Sequence, residues 1–243
     1  MPFSSSAARL AHFLKKKKVA LFLRWSFRIL LLVVLVDISY LLAIYPDWGL
    51  YKDGPVQRSN FIRDYIAQQH QHDDWPELSW DPKPIDQISE HMIRAIVVAE
   101  DSRFYSHAGI DLDALQAAME ENLSKKRFVY GGSTISQQTV KNMFLSASRD
   151  PLRKWHELVI TIGMERNLSK RRILELYLNV AEFGRGIYGV EAASLHYWGI
   201  SSGELSARQA IELAATLPSP VKHNPSTRTR TFKYRVQRIS RYY

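Results

Sequence analysis

The chain has 243 residues, 46% of them apolar, which suits one packed domain with an accessory segment and excludes general disorder. Its formal charge of +9 suggests an anionic partner, but residues 1–28 hold seven cations and no acid. That leaves +2 for the remainder and argues against a nucleic-acid surface on the domain. The chain has no cysteine, which excludes thiolate chemistry.

The first element is an apolar run from Phe27 to Tyr45. It is long enough to span a hydrocarbon core of ~30 Å with Trp25, Arg28 and Tyr45 at the interfaces. Asp37 within it costs ~2.5–3.5 kcal/mol at the centre of an inserted helix, which the surrounding leucines and valines offset. A buried core helix and a cleaved signal peptide are the other readings. The four lysines ahead of the run, Lys15 to Lys18, speak against the first. The Ala43-Ile-Tyr-Pro46 exit, which is not a small-x-small cleavage site, speaks against the second. The expected organisation is a basic tail over 1–24, a transmembrane signal anchor over 25–45, a membrane-proximal linker over 46–84 and a domain over 85–243. The positive-inside rule puts the tail in the cytoplasm and the domain outside.

The stretch 46–84 is rich in Pro, Asp, Gln and His. Its His70-Gln-His72-Asp73-Asp74 run has metal-ligating residue types with no helix or strand to fix them, so it reads as a solvated loop. From Ile85 the pattern is helical. Met92, Ile93, Ile96 and Val97 lead to Glu100, and Leu112, Leu115, Met119 and Leu123 mark a helix beginning near Asp111. Ser133 or Thr134 caps a helix running to about Leu145, and Asp150-Pro151 starts one running to about Asn167. Ser169 caps the next, which Gly184, Gly186 and Gly189 break. Ser206-x-x-Gln209 is a capping box for a helix ending before Pro218. There are no alternating β-runs, and the expected fold class is mainly α. A late basic excess, from Arg228 to Arg241 through Arg230, Lys233, Arg235 and Arg238, reads either as a solvated helix face or as contact with anionic lipid.

Four stretches carry chemistry. Glu100 follows an apolar helical stretch, so desolvation raises its pKa toward the range of a general base, and Asp101 beside it is expected to push the same way. His107 and Gly109 suggest a tight polar loop beyond. Gly132, Ser133 and Thr134 open a helix whose free N–H groups and hydroxyls form an anion site, with Gln137, Gln138 and Lys141 within two turns. Arg149, Arg153 and Lys154 flank Glu157. Arg153 and Glu157 form a plain i,i+4 pair, or the three cations suit a diphosphate leaving group. The fourth stretch, Lys170 to Asn179, looks structural.

In this order and spacing the four stretches resemble the peptidoglycan glycosyltransferases of glycosyltransferase family 51. The family patterns are Glu-Asp-x-x-Phe-x-x-His-x-Gly, Gly-x-Ser-Thr-x-x-Gln-Gln, Arg-Lys-x-x-Glu and Lys-x-x-Ile-Leu-Glu-x-Tyr-Leu-Asn. Every specified position is met, over a resemblance running from about Ile85 to Pro220. Thr139 departs slightly, since an aliphatic residue is more usual there. With the chain stopping at Tyr243 there is no room for the transpeptidase domain many relatives carry, so it looks like a monofunctional biosynthetic transglycosylase.

The resemblance implies a lysozyme-like helical domain with a hydrophobic part dipping into the membrane. It also implies a single-pass protein of the bacterial inner membrane with its domain in the periplasm. The implied activity is polymerisation of lipid II into β-1,4 glycan with loss of undecaprenyl diphosphate. Glu100 matches the general base, acting with inversion at the donor, and Glu157 matches the second carboxylate. Lys141, Arg149, Arg153 and Lys154 would neutralise the diphosphate. Ser133, Thr134, Gln137, Gln138 and Asn142 would line the donor site. Asp101, Phe104, His107 and Gly132 belong to the same substrate-binding set. Some relatives use a divalent cation, Mg²⁺ or Mn²⁺, at the diphosphate, and this sequence shows no dedicated cage for one. Implied partners are lipid II, the growing glycan, membrane lipids and other cell-wall synthesis or division proteins, but no nucleic acid. A lysozyme-like lytic transglycosylase or hydrolase is the rival enzyme, and an anchored scaffold the rival non-enzyme.

Overall fold

The computed structural model describes residues 4–125, 132–148 and 150–243. They divide into two compact units, residues 1–45 and 46–243. The first unit is one helix, α1 (Ser4–Ile44), unbroken through the four lysines. Its Lys15–Ile44 portion is long and apolar enough to cross a membrane. Large side chains such as Phe22, Leu30 and Leu42 are exposed along it.

The second unit begins earlier than the pattern suggested. The stretch 46–84 carries α2 (Gly49–Lys52), α3 (Asn60–Gln69) and a short strand, β1 (Ser79–Trp80). Ile62 and Tyr65 of α3 are buried in an aromatic cluster with Tyr188, packed by Phe61, Trp75 and Trp80. Linker-like composition hid this because the apolar residues are few and widely spaced, and they bury against partners more than a hundred positions away. The His70–Asp74 stretch turns, as expected, and stacks His72 on Trp75 at 4.5 Å.

Beyond it come α4 (Glu90–Glu100), α5 (Leu112–Ser124), α6 (Ile135–Phe144), α7 (Pro151–Asn167) and α8 (Lys170–Val180). Two strands follow, β2 (Glu182–Gly184) and β3 (Ile187–Tyr188), then α9 (Val190–Trp198), α10 (Ala207–Thr216) and α11 (Arg230–Ser240). The caps lie where side chains can hold free N–H groups: Asp111, Thr134, Asp150, Ser169 and Ser206 each accept from the first turn of the following helix. The core forms where α4 packs on α10, and α6 on α7 and α8. Met92, Ile96, Ile135, Val140, Ile160, Ile173, Leu174 and Leu213 are fully enclosed there. Thr139 is also fully buried, and its hydroxyl donates to the Ile135 carbonyl at 2.8 Å, so the polar atom is not stranded.

The expectation of no strands is corrected. β1 pairs with β3 in parallel, Ser79 opposite Ile187 and Trp80 opposite Tyr188, and β2 pairs with β3 antiparallel. Strands of two or three residues are too short to show period-two alternation. The sheet is braced by α8: Trp80 Nε1 donates to the Asn179 carbonyl, and the Asn179 amide takes both backbone groups of Lys83, all at 2.8 Å. Gly189 (φ +82°) lies so close to α8 that a Cβ would fall 2.9 Å from the Asn179 carbonyl oxygen.

Candidate active site

Glu100 is the last residue of α4, half-buried at the lip of a cleft of about 600 Å³. Val98 to Ser102, Gly132 to Thr134 and residues of α11 form its walls. Gln138 Nε2 donates to Glu100 Oε2 at 2.8 Å, and the Tyr177 hydroxyl donates to Gln138 Oε1 at 3.2 Å. The tyrosine thereby fixes which end of the amide faces the carboxylate. Burial raises the Glu100 pKa, while the Gln138 bond and the charges of Lys141, Arg235 and Arg238 pull it back. Burial likewise drives the Tyr177 phenol well above its usual range, with Glu100 and Asp101 adding to the effect, so it stays a donor.

Asp101 does not do what the sequence suggested. Its side chain is buried and engaged elsewhere, accepting from His107 Nε2 at 3.0 Å and from the Ile135 N–H at 3.0 Å. The Gly109 N–H donates to His107 Nδ1 at 3.1 Å, which leaves the Nε2 proton for Asp101. Asp101 therefore ties the loop after α4 to the start of α6 rather than repelling Glu100. His107 belongs to this clamp, and Phe104 is fully buried beneath it with Lys170 Nζ 4.5 Å from its ring centre, so neither lines the cleft. Gly109 (φ +95°) completes the tie: Thr134 Oγ1 donates to its carbonyl at 2.6 Å, and a Cβ would strike Thr161 at 2.8 Å.

Gly132, Ser133 and Thr134 do border the Glu100 cleft, and a Cβ at Gly132 would meet Leu115 at 2.7 Å. Thr134 caps α6 and Gln137 answers it in a capping box, Oε1 accepting from the Thr134 N–H at 2.9 Å. Ser133 also borders a second cleft of about 350 Å³, lined by Phe61, Gln137, Gln138, Lys141, Arg153, Lys154 and Glu157 among others. There Arg153 Nη1 donates to Glu157 Oε2 at 2.7 Å, Lys154 Nζ pairs with Glu157 Oε1, and Lys154 reaches Ser133 Oγ at 3.4 Å. Glu157 is buried, and Arg153 Nε is buried with no partner. Burial lowers the Lys141 pKa, with Arg153 and Lys154 adding to that and Glu157 and Glu100 opposing it. Lys141 thus feels both carboxylates and stands between the two clefts electrostatically. Asn142 is buried on α6 outside the residues lining either cleft. Arg149 lies outside the described residues.

Asp101, His107 and Asp111 place potential metal-ligating atoms within 4.8 Å of one another. Their lone pairs are in use: Asp101 as above, Asp111 accepting from the Ala114 N–H at 2.9 Å and facing Arg103 Nε at 3.4 Å. The donor set fits a loop clamp rather than a metal cage. Sequence reasoning missed three residues at the site. Tyr177 was read as part of a structural helix, and Arg238 and Tyr242, which line the Glu100 cleft, lie beyond the four stretches. A C-terminal cation excess with no acid after Glu212 was the available signal.

The model of the transglycosylase family matches residues 68–242. Curated relatives named biosynthetic peptidoglycan transglycosylase are similar over most of the chain. One from Nitrosospira multiformis is 44% identical over 199 residues, covering 82% of this chain and 86% of the relative. One from Chromobacterium violaceum is 43% identical, covering 81% and 86%, and one from Thiobacillus denitrificans is 42% identical, covering 90% and 94%. The family model covers well over half of the chain and each of these relatives more than four fifths of it, and the chain belongs to the transglycosylase family.

Proposed function

We propose that the protein is a membrane-anchored peptidoglycan glycosyltransferase that joins lipid II units into β-1,4 glycan and releases undecaprenyl diphosphate. The observation that carries this reading is the pair of clefts meeting at Ser133, one holding a half-buried carboxylate and the other a cluster of cations around a buried glutamate. In the Glu100 cleft, the sugar hydroxyl of the acceptor gives its proton to Glu100 as the oxygen attacks the anomeric carbon of the donor. Burial raises the affinity of Glu100 for that proton, and Gln138 holds the carboxylate in place. The bond from the anomeric carbon to the diphosphate breaks on the opposite face, giving inversion. Arg153 and Lys154, held by Glu157, and Lys141 beside them stabilise the charge that develops on the departing diphosphate. The exposed apolar stripe of α5, Leu112, Met119 and Leu123, supports a cleft facing lipid, since a water-facing helix would not present it.

A lytic enzyme needs no cation cluster opposite its carboxylate, so the second cleft favours synthesis. Detergent-solubilised protein incubated with labelled lipid II is expected to give a polymer ladder that lysozyme digests. Release of fragments from preformed glycan, with no polymer from lipid II, would move the protein to the lytic class.

A further inference from the structure

Three helices each bring one polar group to the back of the Glu100 cleft. Glu100 ends α4, Gln138 lies near the start of α6, and Tyr177 lies on α8. The Tyr177 hydroxyl donates to Gln138 Oε1 at 3.2 Å, and Gln138 Nε2 donates to Glu100 Oε2 at 2.8 Å. Tyr177 is buried and lines neither cleft, so whatever it does for the reaction passes through Gln138.

Packing alone does not account for a tyrosine at this position. Ile173, Leu174, Leu176 and Leu178 of α8 are already fully enclosed, and the Asn179 amide ties the helix to Lys83. Phenylalanine would fill the same space without burying a hydroxyl, which is costly unless the hydroxyl is hydrogen-bonded. Among the described residues the Gln138 oxygen is its one hydrogen-bond partner. Burial, with the charges of Glu100 and Asp101, drives the phenol well above its usual range, so the proton stays on it to be donated.

The consequence falls on an amide with two orientations. A flipped Gln138 would turn Oε1 toward Glu100. That orientation suits a protonated carboxyl, which can donate, and opposes an ionised one, which only accepts. The flip also strands the Tyr177 proton without an acceptor. The hydroxyl therefore penalises the one orientation that stabilises a protonated Glu100. Lys141 on α6, and Arg235 and Arg238 on α11, favour the ionised form whichever way the amide points. Asp101, next along the chain, is engaged by His107 and the Ile135 N–H. We propose that Tyr177 is a positioning residue for the reaction, locking the donor end of the Gln138 amide onto Glu100 so that the base returns to its ionised form between turnovers. This rests on the synthetic reading above and gives α8 a part in the proton transfer.

The test uses the full chain in non-ionic detergent, with initial rates of lipid II polymerisation measured against pH. Tyr177→Phe keeps the ring and removes the donor, so the amide is free to follow the proton. Its acid limb is expected to move to higher pH by about half to one unit, the equivalent of one hydrogen bond. The rate on the alkaline side of the limb is expected to return close to that of the wild type, with the half-saturating lipid II concentration little changed. Gln138→Leu removes the contact with Glu100 outright and is expected to move the limb at least as far. Adding Tyr177→Phe to Gln138→Leu is expected to move it no further, because the two act in series.

A lower rate at every pH with the limb unmoved would make Tyr177 a packing residue only and overturn the proposal. A shift that adds to that of Gln138→Leu would overturn it as well, since the tyrosine would then act by another route. Tyr177→Met also lacks the hydroxyl and fills the site flexibly. It is expected to move the limb alike, so the result does not hang on one variant, and melting curves identify a variant that has not folded. Failure of the underlying reading shows differently, as a wild-type protein that makes no polymer from lipid II.

Discussion

Glu100 shows how one carboxylate is set for proton transfer by what surrounds it. Burial drives its pKa up, and one amide and three cations hold the rise in check. The sign follows directly for stability. A carboxyl whose folded-state pKa is raised favours the fold while protonated and costs stability as pH climbs past the ordinary carboxylate range. Glu100→Gln is therefore expected to melt no lower than wild type at pH 7, with the two converging at acid pH, while polymerisation falls roughly 10²–10⁴-fold. A melting temperature several degrees below wild type at pH 7 would show that the charged carboxylate holds the fold together. Glu157 is the opposite case, a buried acid already paired by Arg153 and Lys154. Lys154→Ala is expected to weaken binding of moenomycin, the phosphoglycolipid inhibitor of this family, because it strips one cation from the diphosphate cleft. Unchanged affinity by titration would remove Lys154 from that role. At this scale the sequence was informative where chemistry is local. Glu100 could be singled out from its apolar approach, but the role of Asp101 could not, because its partners His107 and Ile135 are brought together by a loop and a helix start.

Helix starts were legible because a cap is read within four residues. Thr134, Asp150, Ser169 and Ser206 stand where the pattern placed them. The sheet was not legible, since its strands are too short to alternate and β1 finds its partner β3 108 positions away. Elements meet at two tight points. Gly109 joins the loop after α4 to α6 and α7, and Gly109→Ala places a Cβ against Thr161 in a backbone region that side chains avoid. It is expected to cost about 1–3 kcal/mol, read as a fall in melting temperature of roughly 2–4 °C per kcal/mol. A melting curve matching wild type would show that the loop relaxes freely. Arg172 is the other tie. It donates to the Tyr51 and Gly54 carbonyls at 2.8 Å while paired with Glu175, whose other oxygen takes the Ile85 N–H. Arg172→Ala breaks a buried pair and is expected to destabilise by about 3–5 kcal/mol, seen in chemical denaturation. A loss under ~1 kcal/mol would mean that 51–54 stays in place without it.

At the scale of the whole molecule the chain is an apolar helix followed by a unit with its own core. The absence of cysteine makes topology directly measurable. Cysteines introduced one at a time at Ser6 and Asp53 are expected to react with a membrane-impermeant maleimide in intact cells only at position 53. Labelling at position 6 would reverse the orientation drawn from Lys15 to Lys18. How far residues 46–84 belong to the folded unit was hidden in the sequence, because that is decided by contacts such as Arg172 to Tyr51 across 121 positions.

The most direct measurement is the initial rate of lipid II polymerisation against pH for the wild type and Glu100→Gln. The account predicts a rate that rises with pH through an acid limb lying above the ordinary carboxylate range, as the raised pKa of Glu100 requires, and no such limb in the residual activity of the variant. A Glu100→Gln protein that polymerises at the wild-type rate with the same limb would contradict the assignment of Glu100 as the base.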